Sequence, residues 1–210
     1  MEVLVEEPSM RVVLETILPR LLCGRASFRV LDLQSRQRLL QKLPDLLRGY
    51  ARRMTSEALR LVVLVDNDRD DCRDLKLRLE RLTAEAGVPT RGAPREDGSY
   101  AAVNRIVVEE LEAWFLGDTE ALRAAFPRLP DGLERKEAFR DPDRITGGTW
   151  ERLHRELQGA GYYRDLYPKI EVARRVAPHL VPERNCSPSF QTFRTAVQAL
   201  LAPCPRVGLC

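Results

Sequence analysis

Histidine is nearly absent from this chain of 210 residues; only His154 and His179 occur. Neither belongs to an H-x-x-x-H, H-x-x-E-H or Ser–His arrangement, so histidine-based zinc hydrolysis is poorly supported. The five cysteines, Cys23, Cys72, Cys186, Cys204 and Cys210, include no C-x-x-C pair. Their odd number and spacing argue against a zinc ribbon or a disulfide framework, and they read as reduced thiols. No G-x-x-x-x-G-K-[ST] occurs, so the chain is not itself a P-loop ATPase, and no G-x-G-x-x-G follows a strand. Long apolar runs are missing too. Leu61–Val65 is among the longest and is far too short to span a bilayer. The opening Met-Glu-Val-Leu-Val-Glu-Glu puts no basic segment ahead of an apolar one, so the expected compartment is the cytoplasm. Internal repeats and low-complexity tracts are also lacking.

Lysine is scarce, with four (Lys42, Lys76, Lys136 and Lys169) among 34 basic residues. The remaining basic residues are arginines, whose planar fork suits phosphate, although a GC-rich genome explains the same bias. Against 31 acidic residues the formal charge is only +3. Residues 20–60 are less balanced, with ten basic side chains against three acidic ones. That stretch reads either as a track for a nucleic-acid backbone or as a solvated helix face. Hydrophobic residues make up 44% of the chain, enough for a packed core.

The hydrophobic pattern predicts strands at residues 2–6, 28–33, 61–65 and 103–108. Leu61-Val62-Val63-Leu64-Val65 is uniformly apolar, as expected of a strand covered on both faces. Helices are expected after Ser9, which reads as an N-cap, and from Gln34 to Leu59, where Pro44 should break the helix in two. Further helices are expected over Cys72–Gly87, with Asp70 or Asp71 as cap, over Glu109–Leu116, and over Glu120–Phe126 behind an Asp118 cap. The last third predicts helices near 149–158, 167–178 and 189–201. Alternating strands and helices predict an α/β fold with a mostly parallel central sheet flanked by helices and a helical C-terminal third. The expected division is an α/β core at 1–126, an exposed loop at 127–148, a helical extension packed on the core at 149–202 and a mobile tail at 203–210.

Three acidic clusters follow three of the predicted strands: Glu6 and Glu7; Asp66, Asp68, Asp70 and Asp71; Glu109, Glu110 and Glu112. Ligands of open α/β sheets bind beyond the carboxyl ends of the strands. Parallel neighbours would therefore bring these carboxylates to one edge, where hard oxygen donors suit Mg²⁺ or Mn²⁺. In Asp66-Asn67-Asp68, alternate residues of an extended segment point to one side, so both carboxylates can reach one ion. The alternative is a solvated loop. Glu6 reads either as a charge at a helix N-terminus or as a metal ligand or general base. Glu112 is preferred for the site, with Glu110 close behind. Trp114, Phe115 and Leu116 read as core. Lys169 reads as a cation for a transition-state phosphate or as helix-surface charge.

A glutamate after the first strand, D-x-D after the central one and a later acidic motif resemble a Toprim domain, the metal-binding α/β fold of topoisomerases, primases and OLD-type nucleases. More closely, the chain resembles a bacterial Toprim-like family of unknown function, number forty-two seventy-six in the domain-of-unknown-function series. The resembling stretches are Leu4-Val5-Glu6-Glu7-Pro8-Ser9, Leu18-Pro19-Arg20-Leu21-Leu22, Val65-Asp66-Asn67-Asp68-Arg69-Asp70-Asp71-Cys72, and Glu110-Leu111-Glu112-Ala113-Trp114-Phe115-Leu116-Gly117-Asp118. Tyr167-Pro168-Lys169 and the stretch from Ala177-Pro178-His179-Leu180 through Ser189-Phe190 complete it.

The resemblance implies a Mg²⁺- or Mn²⁺-dependent nuclease acting on nucleic acid, DNA before RNA. It also implies an ABC- or OLD-type ATPase as partner, a role in phage defence and no membrane association; a homo-oligomer is compatible with it. Carried across, Glu6 is the acidic or general-base position, and Asp66 and Asp68 hold the metal. Glu112 and Lys169 support them. The sequence departs from the family pattern at Glu7, where glycine is expected, and at Met10-Arg11, where acidic residues are expected. A non-catalytic or sensor subunit of an ATPase assembly is the alternative those departures suggest. A glycosyltransferase using Asp66-Asn67-Asp68 is a further alternative, less compatible with the short chain and with Glu6.

Overall fold

A computed structural model describes residues 1–67, 71–136 and 139–202 of the chain. Its centre is a four-stranded sheet of β1 (Glu2–Val5), β2 (Arg29–Asp32), β3 (Leu61–Asp66) and β4 (Ala102–Val107). The order is β2-β1-β3-β4 and every pairing is parallel. The α/β expectation and all four strand positions hold.

Side-chain alternation explains the uniformly apolar β3. Val62 and Leu64 enter one hydrophobic cluster, while Leu61, Val63 and Val65 enter the other. Strand residues alternate between faces, so a strand covered on both sides needs apolar residues at every position. One face is covered by α2 (Arg36–Arg53) and α3 (Cys72–Glu85), through Leu39, Leu43, Leu47, Leu75 and Leu79. The other carries the larger cluster. It takes in α1 (Pro8–Leu22), α4 (Glu112–Leu116), α5 (Thr119–Ala125), α6 (Thr149–Gly159), α7 (Lys169–Val176) and α8 (Pro188–Leu201). The C-terminal helices thus share the core of the sheet. Trp114 of α4 stands edge-on to Phe190 at 5.0 Å and beside Phe193 at 5.1 Å, and its Nε1 donates to Ser189 Oγ at 3.1 Å.

Several local expectations are corrected. The N-cap of α1 is Glu7, in extended backbone; Pro8 opens the helix, and Ser9 lies buried inside it with its hydroxyl donating to Glu7 Oε1. Pro at the first helical position lacks only an N–H that has no intrahelical partner there. Pro44 does not divide α2, which runs unbroken from Arg36 to Arg53. The buried stripe Leu39, Leu43, Leu47 and Tyr50 holds the helix together across the missing hydrogen bond. Glu109 is not helical: its φ of 62° puts a left-handed residue between β4 and α4. The helix expected from Glu109 therefore begins only at Glu112. Segment 127–148 is not simply exposed, since Leu129, Leu133, Phe139, Pro142 and Ile145 are buried anchors. Among its described residues lie the 3-10 turns Leu133–Arg135 and Pro142–Arg144.

Other expectations hold. Asp71 caps α3 by accepting from Arg73 N at 2.7 Å and Asp74 N at 3.2 Å, and Asp118 caps α5 through Ala121 N at 3.1 Å. Gly117 is required by packing. A Cβ there would lie 2.8 Å from the backbone N of Ser187. Cys23, Cys72 and Cys186 are free thiols. Among the described residues no helix is long and apolar enough to cross a membrane. The tail expected at 203–210 lies outside the described residues.

Several basic residues of the stretch at 20–60 are tied to other parts of the fold. Arg20 donates to the carbonyls of Leu180 and Ala177, and Arg60 to that of Leu200. Arg29 and Arg53 pair with Glu2, at the opposite end of the sheet from the acidic clusters. Arg36 reaches the carbonyl of Asn67 at 3.4 Å, which places it beside the acidic end.

Candidate functional site

Parallel pairing of β1 with β3 and of β3 with β4 sets the carboxyl ends of three neighbouring strands side by side. Glu6 directly follows β1, Asp66 is the last residue of β3, and Glu112 opens α4 after the turn that leaves β4. All three are buried. The backbone N–H of Asp66 donates to Glu6 Oε1 at 2.8 Å, and that of Asn67 donates to Val107 O at 2.8 Å. Backbone pairing of the strands thus continues one step past their ends and delivers the acids to one place.

Lys169, the first residue of α7, comes from the other end of the chain. Its Nζ lies 3.9 Å from Glu7 Oε2. Burial alone would lower its proton affinity, but the carboxylates of Glu112, Glu7, Glu110 and Asp66 together raise it, so Lys169 is a fixed cation. Glu7, where the resemblance implies glycine, has φ −141° and ψ 154°, ordinary extended backbone that glycine is not needed to adopt. Met10 is buried in the core and Arg11 pairs with Glu15 at 2.8 Å, so neither supplies an acidic group to the site.

The acids pay an electrostatic penalty. Burial pushes Asp66 well above the usual carboxylate range, and the neighbouring Glu6, Glu7 and Glu112 charges push it further. Burial raises Glu112 from 4.5 to about 7, against the pull of Lys169. Among the described residues, Asp66 Oδ1, Asn67 Oδ1 and both carboxylate oxygens of Glu112 are buried without a hydrogen-bond partner. Unpartnered buried acceptors are costly, and a cation is the natural partner for several at once. Oxygen donors of this chemistry are the kind that hard ions such as Mg²⁺ or Mn²⁺ take. Among the described residues, no group of three acidic, imidazole or thiol side chains is arranged to hold a metal ion. Asp68, named with Asp66 as a metal ligand, lies outside the described residues.

Glu110 is placed differently. Its Oε2 accepts from Thr149 Oγ1 at 3.0 Å and from Trp150 N at 3.1 Å, tying the loop before α4 to the N-terminus of α6. One oxygen is thereby committed to that helix start, where negative charge is favourable. Glu112 rather than Glu110 carries the unpartnered oxygens.

Sequence reasoning gave no role to Tyr167 or Asn67. The Tyr167 hydroxyl is buried near Glu112; burial raises its proton affinity well above the usual value, with the Glu112 charge adding to the shift. Its position two residues before Lys169 was the available signal. For Asn67 the signal was its place between two aspartates.

No curated protein and no solved structure matches the chain. A family model described as "Domain of unknown function (DUF4276)" matches residues 5–198, a span that takes in every site residue named above. The chain belongs to that family.

Proposed function

We propose that this protein is a Mg²⁺- or Mn²⁺-dependent phosphodiesterase of Toprim type, a nuclease related to the OLD class. The observation that carries this reading is the convergence of Glu6, Asp66 and Glu112 with Lys169 beyond three adjacent parallel strands, with buried oxygens of Asp66 and Glu112 left unpartnered. Asp66 and Glu112 would hold the metal, with Asp68 and Glu6 as further ligands and Glu110 outside them. A bound divalent cation supplies the positive charge that polarises a phosphoryl oxygen. Glu6 accepts the proton of the attacking water. Lys169 offsets the negative charge that builds on the phosphoryl oxygens as the P–O bond to the leaving oxygen breaks. DNA is the favoured substrate, with RNA as a tested arm. An ABC- or OLD-type ATPase is the proposed partner, and phage defence in the cytoplasm the proposed setting.

The test is a cleavage assay on supercoiled, linear and single-stranded DNA and structured RNA, with Mg²⁺, Mn²⁺ or EDTA. Cleavage is expected to need the metal and to be lost in Asp66→Ala. Metal-dependent cutting that survives Asp66→Ala would sink the assignment. A second reading, a non-catalytic subunit of an ATPase assembly, is favoured by Met10 and Arg11, which bring no acid where the resemblance implies acidic residues. Co-purification with an ATPase, in a complex that cuts nothing with either metal, is its expected signature.

A further inference from the structure

Beside the acidic centre, Trp150, His154 and Tyr167 stand in mutual contact. Trp150 and His154 are stacked, with ring centroids 6.3 Å apart and planes at 27°. Tyr167 lies 5.9 Å from Trp150 and 5.6 Å from His154. This chain is poor in aromatics, at 6%, so three half-buried rings in one place are a concentration of a scarce resource. The cluster is tied to the acidic centre through Trp150, whose N–H donates to Glu110, and Tyr167 lies near enough to Glu112 to feel its charge. His154 is held from behind, with Nε2 at 2.7 Å from Tyr163 O. Leu166, next to Tyr167 in the chain, is 80% exposed, and Ile170, next to Lys169, is 39% exposed.

We propose that this aromatic cluster is a nucleobase shelf, on which a base of single-stranded nucleic acid stacks while its phosphate lies against Lys169 and the carboxylates. The proposal rests on the phosphodiesterase reading of the acidic centre and names its substrate class, a single strand or an unpaired end. Base–aromatic stacking accepts any base because every base has a π-face, and it requires the base to be out of a duplex. A ring cluster beside an ionic centre fits a nucleotide, which is apolar on its base faces and anionic at its phosphate. Duplex would present only backbone to the shelf.

Binding of the full chain to a labelled oligothymidylate and to a blunt duplex of equal length, in EDTA, tests this by anisotropy and by tryptophan emission. The chain has two tryptophans, and Trp114 is fully buried against Phe190 and Phe193, so a quench on binding reports on Trp150. The single strand is expected to bind more tightly than the duplex and to quench. Trp150→Ala is expected to weaken single-strand binding by roughly five- to a hundredfold, the scale of one lost stack. Trp150→Phe is expected to restore most of the affinity without the emission signal. Because Glu110 bonds the backbone of residue 150, the substitutions leave that contact in place. Binding without a quench in the wild type, equal affinity for duplex, or full affinity in Trp150→Ala each overturns the shelf. Cleavage that needs metal and Asp66 but ignores Trp150→Ala removes the shelf alone. A quench with no metal-dependent cleavage of any substrate removes the phosphodiesterase and leaves a nucleobase site.

Discussion

The N–H of Asp66 is bonded to the side chain of Glu6, 60 residues earlier, at 2.8 Å. The contact gives Glu6 a structural role beside its proposed chemical one. Glu6→Ala is expected to leave a buried N–H unpaired and to destabilise the fold by about 1–3 kcal/mol. Glu6→Gln retains an acceptor there and relieves charge repulsion. It is expected to match or exceed wild-type stability in urea while losing metal-dependent cleavage. Equal loss of stability in both variants would contradict the dual role.

Metal addition is expected to raise the melting temperature. An ion at a hundred times its dissociation constant adds about 2.7 kcal/mol. Asp66→Asn is expected to be more stable than the wild type without metal and to gain nothing from Mg²⁺ or Mn²⁺. Differential scanning fluorimetry across a metal titration checks both.

Stability without metal is expected to fall as the pH rises. The folded protein holds the Glu112 proton up to about pH 7, whereas the unfolded chain releases it near 4.5. Glu112 thus contributes its full share below about pH 4.5 and loses it as the pH climbs through 7. The size of that displacement corresponds to roughly 3 kcal/mol. Glu112→Gln is expected to flatten this dependence, and Asp66, raised in the same direction, to steepen it. Urea melts from pH 5 to 8 with EDTA check the sign.

Asp118 is fully buried and accepts from Ala121 N, Val181 N, and Arg184 Nε and Nη2. It joins α5 to the segment before α8. Asp118→Ala is expected to cost roughly 2–4 kcal/mol, because several donors lose their partner together. Arg184→Ala should cost less, since Arg184 is 35% exposed and its loss leaves the backbone bonds to Asp118 intact. Chemical denaturation orders the two.

Pro44 lies inside α2 without dividing it. Pro44→Ala supplies the missing N–H and is expected to stabilise the fold by about 1–3 kcal/mol. No gain in the denaturation midpoint would mean that the ring's contacts offset the added bond.

The features legible in sequence were those set by local periodicity. The run Leu61–Val65 could only be a strand covered twice, and Asp71 and Asp118 stood where caps belong. The site was legible where it follows from strand ends, as with Glu6 and Asp66, and its third acid Glu112 emerged from a compact motif. Less legible were features decided by partners far along the chain. The bond from Glu110 to residues 149 and 150 spans about 40 residues, and no local pattern encodes it. The left-handed turn at Glu109 carries an ordinary residue where glycine or asparagine would have signalled it. Pro44 was misjudged because a buried stripe outweighed one lost hydrogen bond.

Glu110 holds the start of α6, and Trp114, two residues after Glu112, is wedged against α8. The acidic end and the helical third are therefore not separable modules. A break at 127–148, where turn-rich composition invites a boundary, would strip Trp114 of its cover and Glu110 of its partners. Exchange of parts between relatives by recombination at that point should yield insoluble chimeras, so this protein must be inherited, and engineered, as one piece.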